Sequence, residues 1–199
     1  MIAPYESVIS DIGTGDGRFV SSMAKMRPDA FFIGVDANAK PLEKPSMKAT
    51  RKPAKGGLPN AMFVQAAVED LPEEFAGIAS EIHINFPWGS LLRAVAIGDA
   101  DVLESLRGMA RPGAVLEILL GVDPERDRAE LERLGIPVID EAYVTSTLAA
   151  GYQRAGFSLV ESRALAASEW GKVETSWAKR LSGNDTFIFF RLWSEAPCS

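Results

Sequence analysis

The segment Asp11-Ile12-Gly13-Thr14-Gly15-Asp16-Gly17-Arg18 constrains the fold more than any other part of the chain, because it joins a β-like run to a helix-like one. Ser7-Val8-Ile9-Ser10 supplies the strand, and residues 19–26 carry apolar side chains at helical spacing. The glycines between them permit tight turning and close approach of the backbone to a ligand. A second apolar run, residues 31–35, ends in Asp36. That carboxylate lies about twenty residues beyond the glycines, where nucleotide-binding βαβ units hold ribose hydroxyls. The dinucleotide fingerprint wants a third glycine where Arg18 stands, which turns the reading away from a pyrophosphate and toward a simpler nucleoside cofactor. Glycine clusters also punctuate many purely structural turns. Asp11 and Asp36 at successive strand ends favour the cofactor site.

A length of 199 residues fits one α/β domain spanning 1–199 with a substantial core. The sequence shows no apolar stretch long enough for a bilayer and no basic-then-hydrophobic leader, so a cytoplasmic protein is expected. Cys198 is the single cysteine, which excludes a disulfide framework or cysteine metal cluster within one chain, and no metal site is expected. His83, the single histidine, lies in an apolar run and reads as a satisfied strand residue. A net charge of −6 argues against a uniformly nucleic-acid-binding surface. Yet Lys40, Lys44, Lys48, Arg51, Lys52 and Lys55 cluster against the single acid Glu43. Such a run is either a solvated loop or a phosphate-facing patch.

The remaining chain alternates between strand-like and helix-like segments. Residues 61–65, 81–86 and 115–120 read as strands three, four and five, and residues 38–59 as a long functional or mobile connection. Helical patterns cover residues 99–110, 124–134 and 146–155, the first stopped by Arg111-Pro112-Gly113. Strands at 158–163 and 186–193 finish the chain. This order predicts a doubly wound, mostly parallel seven-stranded sheet with an antiparallel C-terminal hairpin. Open sheets of this kind bind ligands outside the carboxyl ends of their strands. Ala66, Ala67, Val68 and Glu69 after strand three then border an adenine pocket, with Glu69 or Asp70 as the polar contact. Asn85-Phe86-Pro87-Trp88 after strand four is suited to receiving a planar base. Trp177 lies before the last strand with Lys179 and Arg180 beside it, a stacking platform next to phosphate contacts. Ordinary core packing is the competing reading for both indoles. Trp170 and Trp193 read as packing residues.

Gly-x-Gly-x-Gly behind an acidic residue resembles S-adenosylmethionine methyltransferases. Four segments narrow the likeness: Asp11 to Arg18, Arg51-Lys52-Pro53-Ala54-Lys55-Gly56-Gly57-Leu58, Asn85-Phe86-Pro87-Trp88-Gly89 and Ser176-Trp177-Ala178-Lys179-Arg180-Leu181. Together they resemble the aminoglycoside-resistance 16S rRNA (adenine(1408)-N(1))-methyltransferases, the kanamycin–apramycin group. The resemblance implies a Rossmann-like class I methyltransferase that uses S-adenosyl-L-methionine. Its partner would be 16S rRNA in the 30S subunit, met by a monomer. It implies that Asp11, Gly13, Gly15, Asp16, Asp36, Ala67, Glu69 and Asn85 hold the cofactor. It further implies that Trp88 and Trp177 stack on a flipped adenine while Asn85, Ser90 and Thr175 shape its pocket. Lys52, Lys55, Lys179 and Arg180 would dock on rRNA. The family usually carries a β-hairpin before its first strand and is arginine-rich after the position of Leu181. Here the first strand begins near the N-terminus and Ser182-Gly183-Asn184-Asp185 bears no basic group, so a weaker phosphate grip is expected. A tRNA (guanine-N7) methyltransferase and a cofactor-binding protein with reduced or lost RNA activity are the alternatives.

Overall fold

The computed structural model describes residues 2, 4–123, 125–166 and 186–194. Strands β1 (Ser7–Ile12), β2 (Ala30–Asp36), β3 (Ala61–Gln65), β4 (Ala79–Asn85), β5 (Ala110–Leu120), β6 (Phe157–Ala166) and β7 (Thr186–Ser194) form one seven-stranded sheet in the order β3-β2-β1-β4-β5-β7-β6. The first five strands pair in parallel, while β7 runs antiparallel to both β5 and β6. The expected terminal hairpin is therefore present, with β7 inserted between β5 and β6. Strand order reverses between β1 and β4, which opens a crevice at their carboxyl ends.

Side-chain alternation gives the sheet two unlike faces. Val8, Ile12, Phe31, Ile33, Val35, Ile82, Ile84, Leu116, Ile118, Leu120, Phe190 and Leu192 build the larger core. It packs under α3 (Gly89–Ile97), α4 (Ala100–Met109) and α7 (Ala149–Arg154), and Tyr152 of α7 is fully buried with its hydroxyl donating to the Val95 carbonyl at 3.1 Å. The other face is smaller. Ile9 and Phe32 meet Phe19, Val20 and Ala24 of α1 (Arg18–Met26) and Ala49 of α2 (Ala39–Ala49). Beyond β4 this face carries charged side chains beside the buried Leu119 and Phe189, and Trp193 on β7 is 50% exposed. Trp193 is thus a half-exposed strand residue, whereas Trp170 lies outside the described residues.

Several local readings are corrected. Residues 38–59 are not a long loop, because α2 and a 3-10 turn, Pro53–Lys55, fill them. Pro41 and Pro45 lie within α2, yet the Asn38 side chain accepts from the Lys40 N–H at 3.3 Å as an N-cap, and Leu42, Pro45 and Ala49 bury one helical face. Tertiary burial outweighs the local cost of Pro45. Helix α3, directly after Trp88, lies in a stretch that periodicity left unassigned. Arg111-Pro112-Gly113 does end α4, but the strand resumes at once: β5 begins at Ala110, and the register shift from Ala79↔Ala110 to Glu81↔Val115 absorbs these residues. The helix expected at 124–134 is α5 (Arg128–Leu134), and that at 146–155 begins earlier, as the turn α6 (Glu141–Tyr143) and a π-helical turn, Val144–Leu148, leading into α7. No helix among the described residues is long and apolar enough to cross a membrane.

Candidate functional site

The β1–α1 loop is braced from below, because the N–H groups of Gly13 and Thr14 donate to the Val35 carbonyl at 2.8 and 3.0 Å. This ties the end of β1 to β2 and sets both carboxylates of the sequence pattern at one crevice. Asp36 accepts from the Gly15 N–H at 2.8 Å through Oδ2 and from the Asn38 N–H at 2.9 Å through Oδ1. It is held as an acceptor pair at the end of β2. Asp11 is a different carboxylate, only 3% exposed, with the Asn85 amide donating to its Oδ1 at 3.2 Å.

Burial pushes the Asp11 carboxyl from 3.8 up to about 6; the Thr14 hydroxyl, the His83 ring and the Asn85 amide oppose that rise, and the charge of Asp36 adds to it. Desolvation of the anion is the dominant cause. Between those values the folded chain retains a proton that the unfolded chain has released, so rising pH through this window removes about 3 kcal/mol of stability. A bound cation would relieve that penalty. The buried Thr14 hydroxyl lies beside this carboxyl, just outside full hydrogen-bonding geometry.

These groups line a cavity of 350 Å³, a volume in the range of small-ligand sites. Its walls include Asp11, Gly13, Gly15, Asp16, Asp36, Ala67, Glu69, Asn85, Trp88 and Ser90, all named from sequence. Glu69 lines it and Asp70 does not. Thr14, Phe19, Ala37 and Leu91 also line it and were not foreseen. Only Thr14 carried a signal, as the polar residue between two glycines. At the mouth, Phe86 adopts φ +52°, a left-handed conformation that costs a non-glycine residue about 1–2 kcal/mol. Its N–H donates to the Leu119 carbonyl at 2.8 Å, pinning the Asn85-Phe86-Pro87-Trp88 turn to β5. Trp88, the N-cap of α3, is 43% exposed there.

Lys52 and Lys55 lie apart from the cavity, exposed around the 3-10 turn that follows α2. Thr175, Trp177, Lys179 and Arg180 lie outside the described residues, and of the two expected indoles only Trp88 is described. His83 sits on β4 with both ring nitrogens facing carboxylates, as a satisfied strand histidine should.

A doubly wound sheet with an antiparallel β7, a glycine loop after β1 and acidic groups ending β1 and β2 defines a class I methyltransferase that uses S-adenosylmethionine. The buried acid with the Thr14 hydroxyl beside it suits the amino-acid end of that cofactor, and Asp36 suits its vicinal hydroxyls. A family profile described as NpmA, 16S rRNA (adenine(1408)-N(1))-methyltransferase, matches residues 1–190, and the chain belongs to that family. It is 37% identical over 188 residues to the 16S rRNA (adenine(1408)-N(1))-methyltransferase of Streptoalloteichus hindustanus, covering 92% of this chain and 84% of the relative. The crystal structure of the aminoglycoside resistance methyltransferase NpmB1 is 48% identical with a TM-score of 0.85, over 97% of this chain and 89% of that one. A point variant of the 16S rRNA (adenine(1408)-N(1))-methyltransferase from Catenulisporales acidiphilia, solved with cosubstrate SAM, is 34% identical with a TM-score of 0.91, over 99% and 89%. Likeness to the tRNA (guanine-N(7)-)-methyltransferase of Geobacillus kaustophilus is confined to 81 residues, 39% of this chain and 36% of that protein.

Proposed function

We propose that this chain methylates N1 of a single adenine in the decoding site of 16S rRNA, acting as a monomer on the assembled 30S subunit and protecting it from aminoglycosides. The observation that carries the reading is the cavity in which the Asp11 carboxylate, the Asp36 acceptor pair and the half-exposed Trp88 meet at the carboxyl ends of β1, β2 and β4. Asp11 receives the ammonium of the cofactor, Asp36 its ribose hydroxyls, and Ala67 and Glu69 border its adenine. S-adenosylmethionine supplies a sulfonium methyl, which leaves its electron pair on sulfur as it is transferred. Trp88, together with Trp177, grips an adenine drawn out of its stack and orients N1. Asn85, Ser90 and Thr175 shape the pocket.

Adenine N1 already carries an in-plane lone pair, so the step needs alignment more than a base. The methylated ring is cationic, and an indole face stabilises it by cation–π attraction. Stacking at about 1–3 kcal/mol per base offsets a flipping cost of a few kcal/mol. Lys52, Lys55, Lys179 and Arg180 hold the phosphates.

Purified protein incubated with 30S subunits and labelled S-adenosylmethionine should place label on 16S rRNA, with a primer-extension stop at one decoding-site adenine. Label on tRNA instead would select the guanine-N7 reading. Label on neither RNA would leave a cofactor-binding protein and sink the proposal.

A further inference from the structure

On the face opposite the larger core, polar side chains form a row that crosses four strands. Arg27 Nη1 lies 3.3 Å from Glu81 Oε1, Glu81 Oε2 lies 3.4 Å from His83 Nε2, and His83 Nδ1 lies 3.5 Å from Glu117 Oε2. Arg191 continues it, 2.7 Å from Glu117 Oε1 and 3.3 Å from Glu161 Oε2, and Arg163 closes it at 2.9 Å from Glu161 Oε1. The signs alternate along the whole row when the imidazole is a cation. Each ring nitrogen faces a carboxylate oxygen, and only the doubly protonated ring donates to both.

This row touches the cofactor cavity at one place. His83 pairs in register with Asp11 on the neighbouring parallel strand, so both side chains leave the same face of the sheet. The His83 ring packs on Phe19 with centroids 5.1 Å apart, and Phe19 itself lines the cavity. With its side chain 14% exposed, the imidazole lies behind Phe19 and borders a second cavity that Glu81, Arg111, Glu117 and Arg191 also line. Its surroundings are Glu81 on its own strand, Glu117 on β5, Asp11 on β1 and Phe19 on α1, with Arg27 and Arg191 one step further along the row.

We propose that His83 is a positioning residue for cofactor capture: clamped between Glu81 and Glu117 under Phe19, its imidazolium keeps Asp11 anionic and ready for the cofactor's ammonium. The direction of its influence on Asp11 agrees, since the His83 charge favours the carboxylate against burial. The inference rests on Asp11 receiving the ammonium, and the experiment separates the two ideas. Calorimetric titration with S-adenosylhomocysteine between pH 5 and 8.5, on wild type and variants whose folding circular dichroism verifies, reads both. In the wild type affinity should fall as pH drops below about 6, where Asp11 takes up its proton. Methylthioadenosine, which lacks the ammonium, should show no such fall. If wild-type affinity for the homocysteine ligand is flat across this range, the Asp11 reading itself fails.

Given that fall, His83→Gln should move its midpoint upward by about half to one unit, lowering affinity about threefold near pH 6.5 and leaving it unchanged at pH 8.5. His83→Lys restores a cation and should return the midpoint. A His83→Gln profile superimposed on wild type overturns the proposal, and so does a loss equal at every pH, the mark of a merely structural role. One measurement needs no variant: the chain has a single histidine, so its imidazole resonance stands alone in an NMR titration. That ring must still hold both protons at the pH where the Asp11 carboxyl ionises. Deprotonation before that point overturns the proposal as firmly.

Discussion

Asp11 and Asp36 show how one residue type takes on two characters through its surroundings alone. Asp36 accepts from two exposed or half-buried backbone N–H groups, whereas Asp11 is buried beside the Thr14 hydroxyl and the Asn85 amide, and burial still pushes its carboxyl up. Trp88 is tuned by position in the same way. As N-cap of α3 its backbone is extended, φ −135° and ψ 161°, which sets the indole at the cavity mouth beside the strained Phe86. On the proposed function, Trp88→Ala removes the stacking surface offered to the base and spares Asp11 and Asp36. Turnover on 30S subunits should therefore fall about tenfold to a hundredfold, matching about 1–3 kcal/mol of stacking, while cofactor affinity stays within twofold of wild type. Steady-state kinetics beside calorimetric cofactor binding would check it. A matching loss of cofactor affinity would reassign Trp88 to the cofactor subsite.

Among the elements, the β1–α1 turn was legible from sequence because its chemistry is local. Three glycines between a strand and a helix need no tertiary information to be read, and all three hold positive φ in the fold. Helix α2 was illegible for the opposite reason. Its prolines and lysines argue locally for a loop, and only burial of Leu42, Pro45 and Ala49 against neighbouring elements overrides them. The seam of Glu81, His83 and Glu117 was equally hidden, since strand register rather than spacing brings it together. Gly17 and Gly15 separate conformational need from space. At Gly17, φ is +67° and an added Cβ would overlap the Phe63 ring and touch Pro45 of α2; at Gly15, φ is +55° and an added Cβ meets nothing within 4 Å. Gly17→Ala should cost about 2–4 kcal/mol of unfolding free energy, from left-handed strain plus overpacking, and Gly15→Ala only about 1–2 kcal/mol. Urea denaturation with unchanged slopes would show it. Equal losses for the two would mean that the Phe63 contact relaxes freely.

At the scale of the whole molecule, a chain of net charge −6 meets a polyanion, so its grip depends on where the positive charge lies rather than on how much there is. Lys40, Lys44, Arg51, Lys52 and Lys55 are exposed on α2 and the turn that follows it. That helix starts two residues after Ala37, a cavity-lining residue, so the basic surface is continuous in the chain with the cofactor crevice. Phosphate contacts made there release counterions, and affinity must then fall steeply with salt. Removing Lys52 and Lys55 together takes away at most two such contacts. The slope of log affinity for 30S subunits against log salt should become shallower by about one to two in the double alanine variant. Cofactor affinity should hold, since neither residue lines the cavity. Filter binding from low to physiological salt measures that slope directly. An unchanged slope with undiminished methylation would move the rRNA-docking surface away from α2 and the turn that follows it.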